Sequence, residues 1–338
     1  MKISIIIPCY NAEQYMECCF KGLEKQSIGI SNLEIIFVDD ASVDRTWEKI
    51  CDFEKRYPQN VKAIHCEENR RQGAARNIGL GYATAKYVGF VDDDDILEPE
   101  MFAQMYEKAE QFQCDMVVCG YDNRKSGTVV NEELRVWDTS KRQDAFYDVQ
   151  TAEERLAYIT MDSVRCIWNK IYRREMLQKN DIRFPEGYIY DDIYFYELVK
   201  QYVRHVYIVD KVYYHHIFSE TSASIDESRK ADMMGYLDVQ IMLLQELEKR
   251  NLYRDYRESY SEMLALETIG LLKTYLLRYG KIEGNLLLEV KTKIAPYQKD
   301  FMENQLLRQR WKEQPNSIDR KLAAAVGIGL TETNIHQE

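Results

Sequence analysis

No apolar run in this chain approaches the roughly 20 residues that a membrane-spanning helix needs. The N-terminal apolar stretch, residues 3–7, is too short for a secretory h-region and lacks a small-residue cleavage site. The expectation is a cytoplasmic chain, with peripheral contact to the inner face of a membrane left open. No CxxC pair occurs among the eight cysteines, which excludes the common zinc and redox arrangements. Scattered mostly through apolar stretches, they read as buried free thiols in a reducing compartment. Clustered basic residues are also scarce. With 45 Lys and Arg against 56 Asp and Glu, the net charge of -11 argues against a nucleic-acid partner. An anionic substrate would then have to be met by a local device such as a bound divalent cation. Low complexity and repeats of fixed period are absent.

What is present is the composition of an ordinary globular protein, 45% hydrophobic and 30% charged over 338 residues. That length exceeds the size at which one core usually stops growing, so one large catalytic domain plus an appended element is expected. Across the first 120 residues, short β-branched runs (3–7, 34–38, 61–65, 87–91, 115–119) alternate with helical patterns (15–25, 45–57, 73–84, 100–112). This alternation predicts a mostly parallel sheet with helices on both faces. Between residues 121 and 137 the helical period is lost around Gly127, and an antiparallel excursion or acceptor-side loop is expected. Helical patterns return at 152–159 and 173–179, and strands are expected at 206–209 and 212–216. From about residue 226 to 338 nearly everything is helix-forming, with stripes such as Met234, Leu237, Ile241, Leu244 and Leu264, Ile269, Leu272, Leu276. The expected layout is a catalytic domain over 1–225, split near 120 into nucleotide-binding and acceptor halves, and a helical module over 226–338. The stripes suit packing, including packing between copies, and the residues from Thr331 on read as frayed.

In open sheets of this kind ligands bind beyond the carboxyl ends of the strands. Those ends carry Pro8-Cys9-Tyr10-Asn11, Asp39-Asp40-Ala41-Ser42, Glu68-Asn69 and the run Asp92-Asp93-Asp94-Asp95. If the last run is extended, Asp92 and Asp94 share one side and Asp93 and Asp95 the other. Clustered carboxylates repel unless a cation lies between them, and their oxygens suit hard ions such as Mg²⁺ or Mn²⁺. Standing alone, the run could equally be a solvated acidic loop.

It stands within four ordered blocks: Ile6-Ile7-Pro8-Cys9-Tyr10-Asn11, then Val38-Asp39-Asp40-Ala41-Ser42-Val43-Asp44, then Asn69 through Gly73-Ala74-Ala75-Arg76-Asn77-Ile78-Gly79, then Phe90-Val91-Asp92-Asp93-Asp94-Asp95. Together these resemble the inverting family two of glycosyltransferases, of bacterial cell-surface polysaccharide type, which share the GT-A nucleotide-sugar-binding fold. The resemblance covers roughly the first 225 residues. It implies donor binding by Pro8, Tyr10, Asn11, Asp40, Arg76, Asp92 and Asp93, with Pro8 and Tyr10 flanking the base and Asp40 accepting the imide proton of uracil. Asp39, Asp40 and Ser42 could instead cap the following helix, and Arg76 could be a fold-holding ion pair. By the same resemblance Asp94 and Asp92 are metal ligands, the metal being Mn²⁺ or Mg²⁺ and serving the leaving diphosphate. Asp93 stands where the family often has Ser or Ala.

Further on, Cys166-Ile167-Trp168-Asn169-Lys170-Ile171-Tyr172 resembles the family's segment leading to the acceptor side. Trp168 could stack on a sugar or fill the core, and Lys170 could contact phosphate or reach solvent. Asp191-Asp192 occupies the place of the family's Glu-Asp element, one methylene shorter. Asp192 is expected as the base and Asp191 as its orienter, although both could merely complement a helix dipole. His215 is a candidate metal ligand, and His216 and Ser222 are candidates for the acceptor or a phosphate.

The implied function is metal-dependent, inverting transfer of a sugar, most simply from a UDP-sugar, to a hydroxyl of a glycan or lipid-linked acceptor. Two other readings compete. One is a non-catalytic nucleotide-sugar module, against which the pairing of an acidic run with Asp191-Asp192 argues. The other is a nucleotidyltransferase, which would want a Gly-rich basic loop after the first strand; Pro8-Cys9-Tyr10-Asn11 is neither that nor a G-x-G-x-x-G turn.

Overall fold

Ile3, Ile5, Ile6 and Ile7 have no exposed surface, which requires a strand covered on both faces. That strand is β1 (Ile3–Cys9), and in the computed structural model, which describes residues 1–125, 143–161, 165–218, 230–315 and 317–328, it lies inside a nine-stranded sheet. The chain divides into two compact units, Met1–Ser228 and Arg229–Glu338.

In the first unit β1 is flanked by β2 (Leu33–Asp39), then β3 (Val61–His65), and on its other side by β4 (Tyr87–Phe90), all parallel. The register aligns Cys9 with Asp39 and Asp39 with His65, so three carboxyl ends finish together. Helices α1 (Met16–Glu24), α2 (Thr46–Arg56) and α4 (Met101–Gln111) cover one face, where Phe20, Phe37 and Phe53 cluster at ring separations of 4.4–5.7 Å. The other face is covered by α3 (Arg71–Tyr82) and α7 (Asp191–Lys200), where Phe90 meets Phe184 and Phe195 at 5.1 and 5.5 Å.

Beyond β4 the sheet becomes mixed. β5 (Ile96–Leu97) leaves the acidic run for the far edge, where it pairs antiparallel with β9 (His205–Phe218). The neighbour of β4 is instead β8 (Lys170–Arg173), antiparallel both to it and to β6 (Met116–Lys125). β6 runs on through 121–125 parallel to β9, with a register shift around Gly120, where an antiparallel excursion or loop was expected. The strands expected at 206–209 and 212–216 are one continuous β9, also paired with β7 (Ala145–Asp148). Between them stand α5 (Ala152–Thr160), opened by a Thr151–Glu154 capping box, and α6 (Arg174–Lys179).

The second unit is helical: α8 (Lys230–Lys249), α9 (Arg257–Tyr279), α10 (Gly284–Ile294), α11 (Gln298–Glu303), α12 (Gln305–Glu313) and α13 (Ile318–Val326). The expected stripes supply its core: Leu237, Leu244, Leu264, Ile269 and Leu272 are buried. All eight cysteines are free. Among the described residues no helix is long and apolar enough to cross a membrane. Gly127, Ser222 and the residues from Thr331 lie outside the described residues.

Candidate active site

β2, β1 and β4 lie side by side and parallel, and each ends in a turn rather than running straight into a helix. The turns after β1 and β2 are strained at Asn11 and Ala41, with φ 51° and 61°, as is Arg71 (φ 69°), which opens α3 after β3, in a region that costs non-glycine residues energy and clusters at functional sites. Asn11 ties two of the turns together: its N–H donates to the Ser42 hydroxyl (3.0 Å) and its side-chain carbonyl accepts from the Val43 N–H (3.0 Å).

Tyr10 stands half exposed beside half-buried Pro8, leaving a flat ring available to a base. Of the two aspartates ending β2, Asp39 is consumed internally: the Ser42 hydroxyl and His65 Nδ1 (2.6 Å) donate to its two oxygens. Asp40 takes the Arg70 N–H on Oδ1 (3.0 Å); burial raises its pKa against the bonds donated by the Arg70 and Arg71 backbone. Neither aspartate caps α2. The Thr46 N–H at its start donates to Asp44 Oδ1 (3.0 Å).

The acidic run is a tight turn, not an extended segment, with the Asp95 N–H directed at the Asp92 carbonyl (3.4 Å). Strand alternation therefore does not present Asp92 and Asp94 together; four adjacent like charges separate into different environments instead. Asp92 accepts from Arg76 Nη2 (2.9 Å). Asp93 accepts from the Tyr10 backbone, and its pKa is driven well up by burial and by Asp94 and Asp92. Asp95 is fully buried and holds the turn to β9, accepting from the Tyr214 hydroxyl, from the Ile217 N–H (2.7 Å) and from His216 Nδ1 (3.1 Å). Asp94 remains at the surface of the cluster with its pKa pushed up to about 7 by burial, then by Asp95 and Asp92.

A carboxylate so reluctant to ionise among its neighbours suits a cation. Among the described residues no three acidic, histidine or cysteine side chains converge into a ready-made cage. That is compatible with Mg²⁺ or Mn²⁺ held by one or two carboxylates, with substrate phosphates completing the shell.

Arg76 joins this turn to α7. It is buried, its Nη1 donating to Asp191 Oδ2 (2.7 Å) and its Nη2 to Asp92. Burial disfavours its charge, but Asp191 and Asp92 outweigh that and hold it protonated. Gln72 Nε2 donates to the other Asp191 oxygen (2.7 Å). Asp191 is thus held by both partners, while half-buried Asp192 bonds the adjacent Ile193 N–H (2.9 Å) and is pushed up to about 7 by burial and by Asp191.

The two histidines of β9 alternate across the sheet. His216 faces the acidic turn; burial works against its charge, but Asp95 raises it to about 9. His215, expected as a metal ligand, points the other way. Its Nδ1 meets Asp122 (2.6 Å) and its Nε2 meets Glu98 (2.8 Å), so both nitrogens are committed to carboxylates of β6 and of the β5 side.

Trp168 is largely buried, stacked on Tyr214 (4.4 Å) and His216 (5.3 Å), with 8% of its surface exposed. Lys170, expected near a phosphate or solvent, is instead 1% exposed, its ammonium donating to the Cys166 carbonyl (2.6 Å) and Asn169 Oδ1 (2.7 Å). Burial lowers its pKa. Tyr214 was not singled out in the sequence, yet its hydroxyl accepts from the Asp92 N–H (3.2 Å) while donating to Asp95. Its place in a strand-like aromatic run carries no sign of that role.

The family profile described as Glycosyl transferase family 2 matches residues 4–180, more than half the chain. The chain is 33% identical over 186 residues to the uncharacterized glycosyltransferase EpsJ of Bacillus subtilis (strain 168), covering 54% of this chain and 51% of that one. It thus spans about half the length of the curated relatives it first matches. It is 28% identical over 191 residues to the poly(ribitol-phosphate) beta-N-acetylglucosaminyltransferase TarS of Staphylococcus aureus, 55% of this chain and 30% of that one. Among solved structures, a fragment of S. aureus TarS in complex with UDP-GlcNAc superposes with a TM-score of 0.70 at 22% identity, over 89% of this chain and 81% of that one. The mannosyltransferase PcManGT of Pyrobaculum calidifontis, in complex with GDP-Man and Mn²⁺, gives 0.51 at 14% identity, over 96% and 85%. These likenesses establish the GT-A fold.

Proposed function

The chain belongs to glycosyltransferase family 2, and from that premise we propose that it moves a sugar, with inversion, from a UDP-sugar to a hydroxyl of a glycan or lipid-linked acceptor in cell-surface polysaccharide synthesis. The observation that carries the reading is the buried Arg76 bridge: one guanidinium fixes Asp92 of the proposed leaving-group side and Asp191, neighbour of an aspartate with a pKa of about 7. A retained acid-base poise across from a nucleotide pocket is what catalysis needs and what a binding module has no use for.

Tyr10 and Pro8 would flank the base, and Asp40 would accept its imide proton, which suits uracil; TarS, a relative of this chain, is solved with UDP-GlcNAc. Asp94 and Asp92 would hold a Mg²⁺ or Mn²⁺ ion, which when bound supplies charge stabilisation to the departing diphosphate. Arg76 keeps Asp92 oriented. On the opposite side, Asp192 takes the proton of the acceptor hydroxyl as its oxygen bonds to the anomeric carbon and the bond to the diphosphate breaks. Asp191, neutralised by Arg76, holds its neighbour in place. His216, with Trp168 stacked on it, suits the acceptor side. Action on the inner face of the membrane, and association of copies through the helical unit, belong to the same proposal.

A donor panel of UDP-, GDP- and dTDP-sugars with Mn²⁺ or Mg²⁺, scored by nucleotide release and thermal shift, tests it. A shift and turnover with a UDP-sugar is expected, with Asp192→Asn lowering turnover on the order of 10²–10⁴-fold. Binding of UDP without turnover of any donor would favour the non-catalytic module; no shift with any donor would end the proposal.

A further inference from the structure

The start of α3 holds two parts of the site at once. The Arg70 backbone N–H donates to Asp40 Oδ1 (3.0 Å), the carboxylate assigned to the nucleobase. Through Nη2 the same residue donates to Glu186, in the strap of residues 183–190 that delivers α7 and its two aspartates. The other Glu186 oxygen accepts from Asn77 Nδ2 (3.2 Å). Asn77 also brackets Phe184, donating to its carbonyl and accepting from its N–H, both at 2.9 Å. Farther along, Gln72 Nε2 donates to the Ile189 carbonyl (2.8 Å) as well as to Asp191.

The strap lies flat on α3 because Gly73 has no side chain: a Cβ there would stand 2.3 Å from the Pro185 carbonyl oxygen. Asn77 and Gln72 are helix residues with short reach, so they fix the strap along α3. The Arg70–Glu186 pair lies at the end nearest the nucleobase pocket, just before Gly187 turns the chain at φ 84°. Both side chains are close to half exposed, 48% and 42%, so the pair contributes little to global stability. Its backbone setting is nonetheless rigid, between the Asp40 bond and the strained Arg71.

We propose that Arg70 and Glu186 are positioning residues for the transfer. Their ion pair latches the strap to the end of α3 that reads the nucleobase, and so sets the distance between donor and the Asp192 carboxylate. The inference rests on the reading of Asp192 as base. Displacing a catalytic group by about 1 Å can cost on the order of 100-fold in rate without touching binding. Asp40 is bonded by the Arg70 backbone, and the guanidinium reaches it only as a weaker charge effect, so loss of the pair leaves nucleotide affinity nearly in place.

The test uses the full chain with Arg70→Gln, Glu186→Gln and the charge reversal Arg70→Glu with Glu186→Arg. Turnover is read with whichever sugar nucleotide of the panel the wild type uses, and affinity is read calorimetrically with UDP and Mn²⁺. Each single variant is expected to lower kcat about tenfold with KM and UDP affinity within about twofold, and the reversal to recover most of the loss. Melting temperatures are expected to stay within about 2 °C of wild type. Unchanged kcat in the single variants, with Asp192→Asn inactive, overturns the latch and leaves the functional reading standing. A loss of kcat matched by weaker UDP binding, or not rescued by reversal, overturns it too. Full turnover by Asp192→Asn, or none by wild type on the whole panel, removes the functional reading and the latch with it.

Discussion

Asp192 and Asp94 are both poised near pH 7, yet for different ends, and protonation distinguishes them. As the proposed base, Asp192 must be ionised to work, so kcat should fall as pH drops below about 7, reaching roughly a tenth of its plateau one unit lower. Asp191→Asn removes the neighbouring charge and should move that acid limb to lower pH; a limb that stays put assigns the titration to another group. The same group leaves a mark on stability. Its folded pKa lies above the unfolded value of about 3.9, so its contribution is full below that pH and is lost as pH rises through about 7. Between those limits the melting temperature of wild type should decline more than that of Asp192→Asn. Backbone strain gives a second residue-scale expectation. Ala41 sits at φ 61°, a conformation costing an alanine about 1 kcal/mol or more that glycine does not bear. Ala41→Gly should therefore leave the turn intact and raise the melting temperature by roughly 1–3 °C in thermal unfolding.

Helix α3 is the element on which the site is assembled, and its glycines reveal how closely it is packed. In a helix interior Gly→Ala normally stabilises by about 1 kcal/mol. At Gly79 the sign should reverse, because a Cβ would lie 2.4 Å from Ile6 Cγ2 and the buried β1 side chain cannot withdraw. Gly79→Ala should cost about 1–3 kcal/mol in denaturant unfolding. Much at this scale was legible beforehand. The β-branched runs of the first 120 residues gave their strands, and the blocks ending them gave the turns that follow, because strand burial and strand-end chemistry are local properties. The second half was harder for a physical reason. Lys170–Arg173 is four residues with a buried lysine, and its place between β4 and β6 depends on partners 52 to 86 positions away. The site shows the same division. Asp92 and Arg76 stand in their blocks, whereas the turn within the acidic run, the buried lysine at 170 and the buried histidine at 215, turned away from that run, follow from side-chain pairing that spacing does not encode.

At the scale of the whole molecule the dominant fact is charge. The chain carries a net -11, and in the first unit the acidic turn, Asp191 and Asp192 gather about one buried cation, Arg76, that is already shared between two carboxylates. A nucleotide diphosphate brings further negative charge to that place, so the acidic field should oppose it unless a divalent cation enters too. Salt exposes the sign of that field, since the screening length is about 10 Å at 0.1 M and longer below it. Without added metal, UDP should bind weakly, and its affinity should rise as ionic strength goes from about 50 to about 200 mM, because repulsion is being screened. With saturating Mn²⁺ the local field is reversed, and affinity should fall over the same range. Asp94→Asn should blunt the second response more than the first, because it removes the proposed ligand of the cation and one of the repelling charges together. Calorimetric titration of UDP across that salt series, with and without Mn²⁺, reads all three. An affinity that moves in the same direction in both series would mean that the acidic turn does not govern the charge met by the donor, and that the metal is held elsewhere.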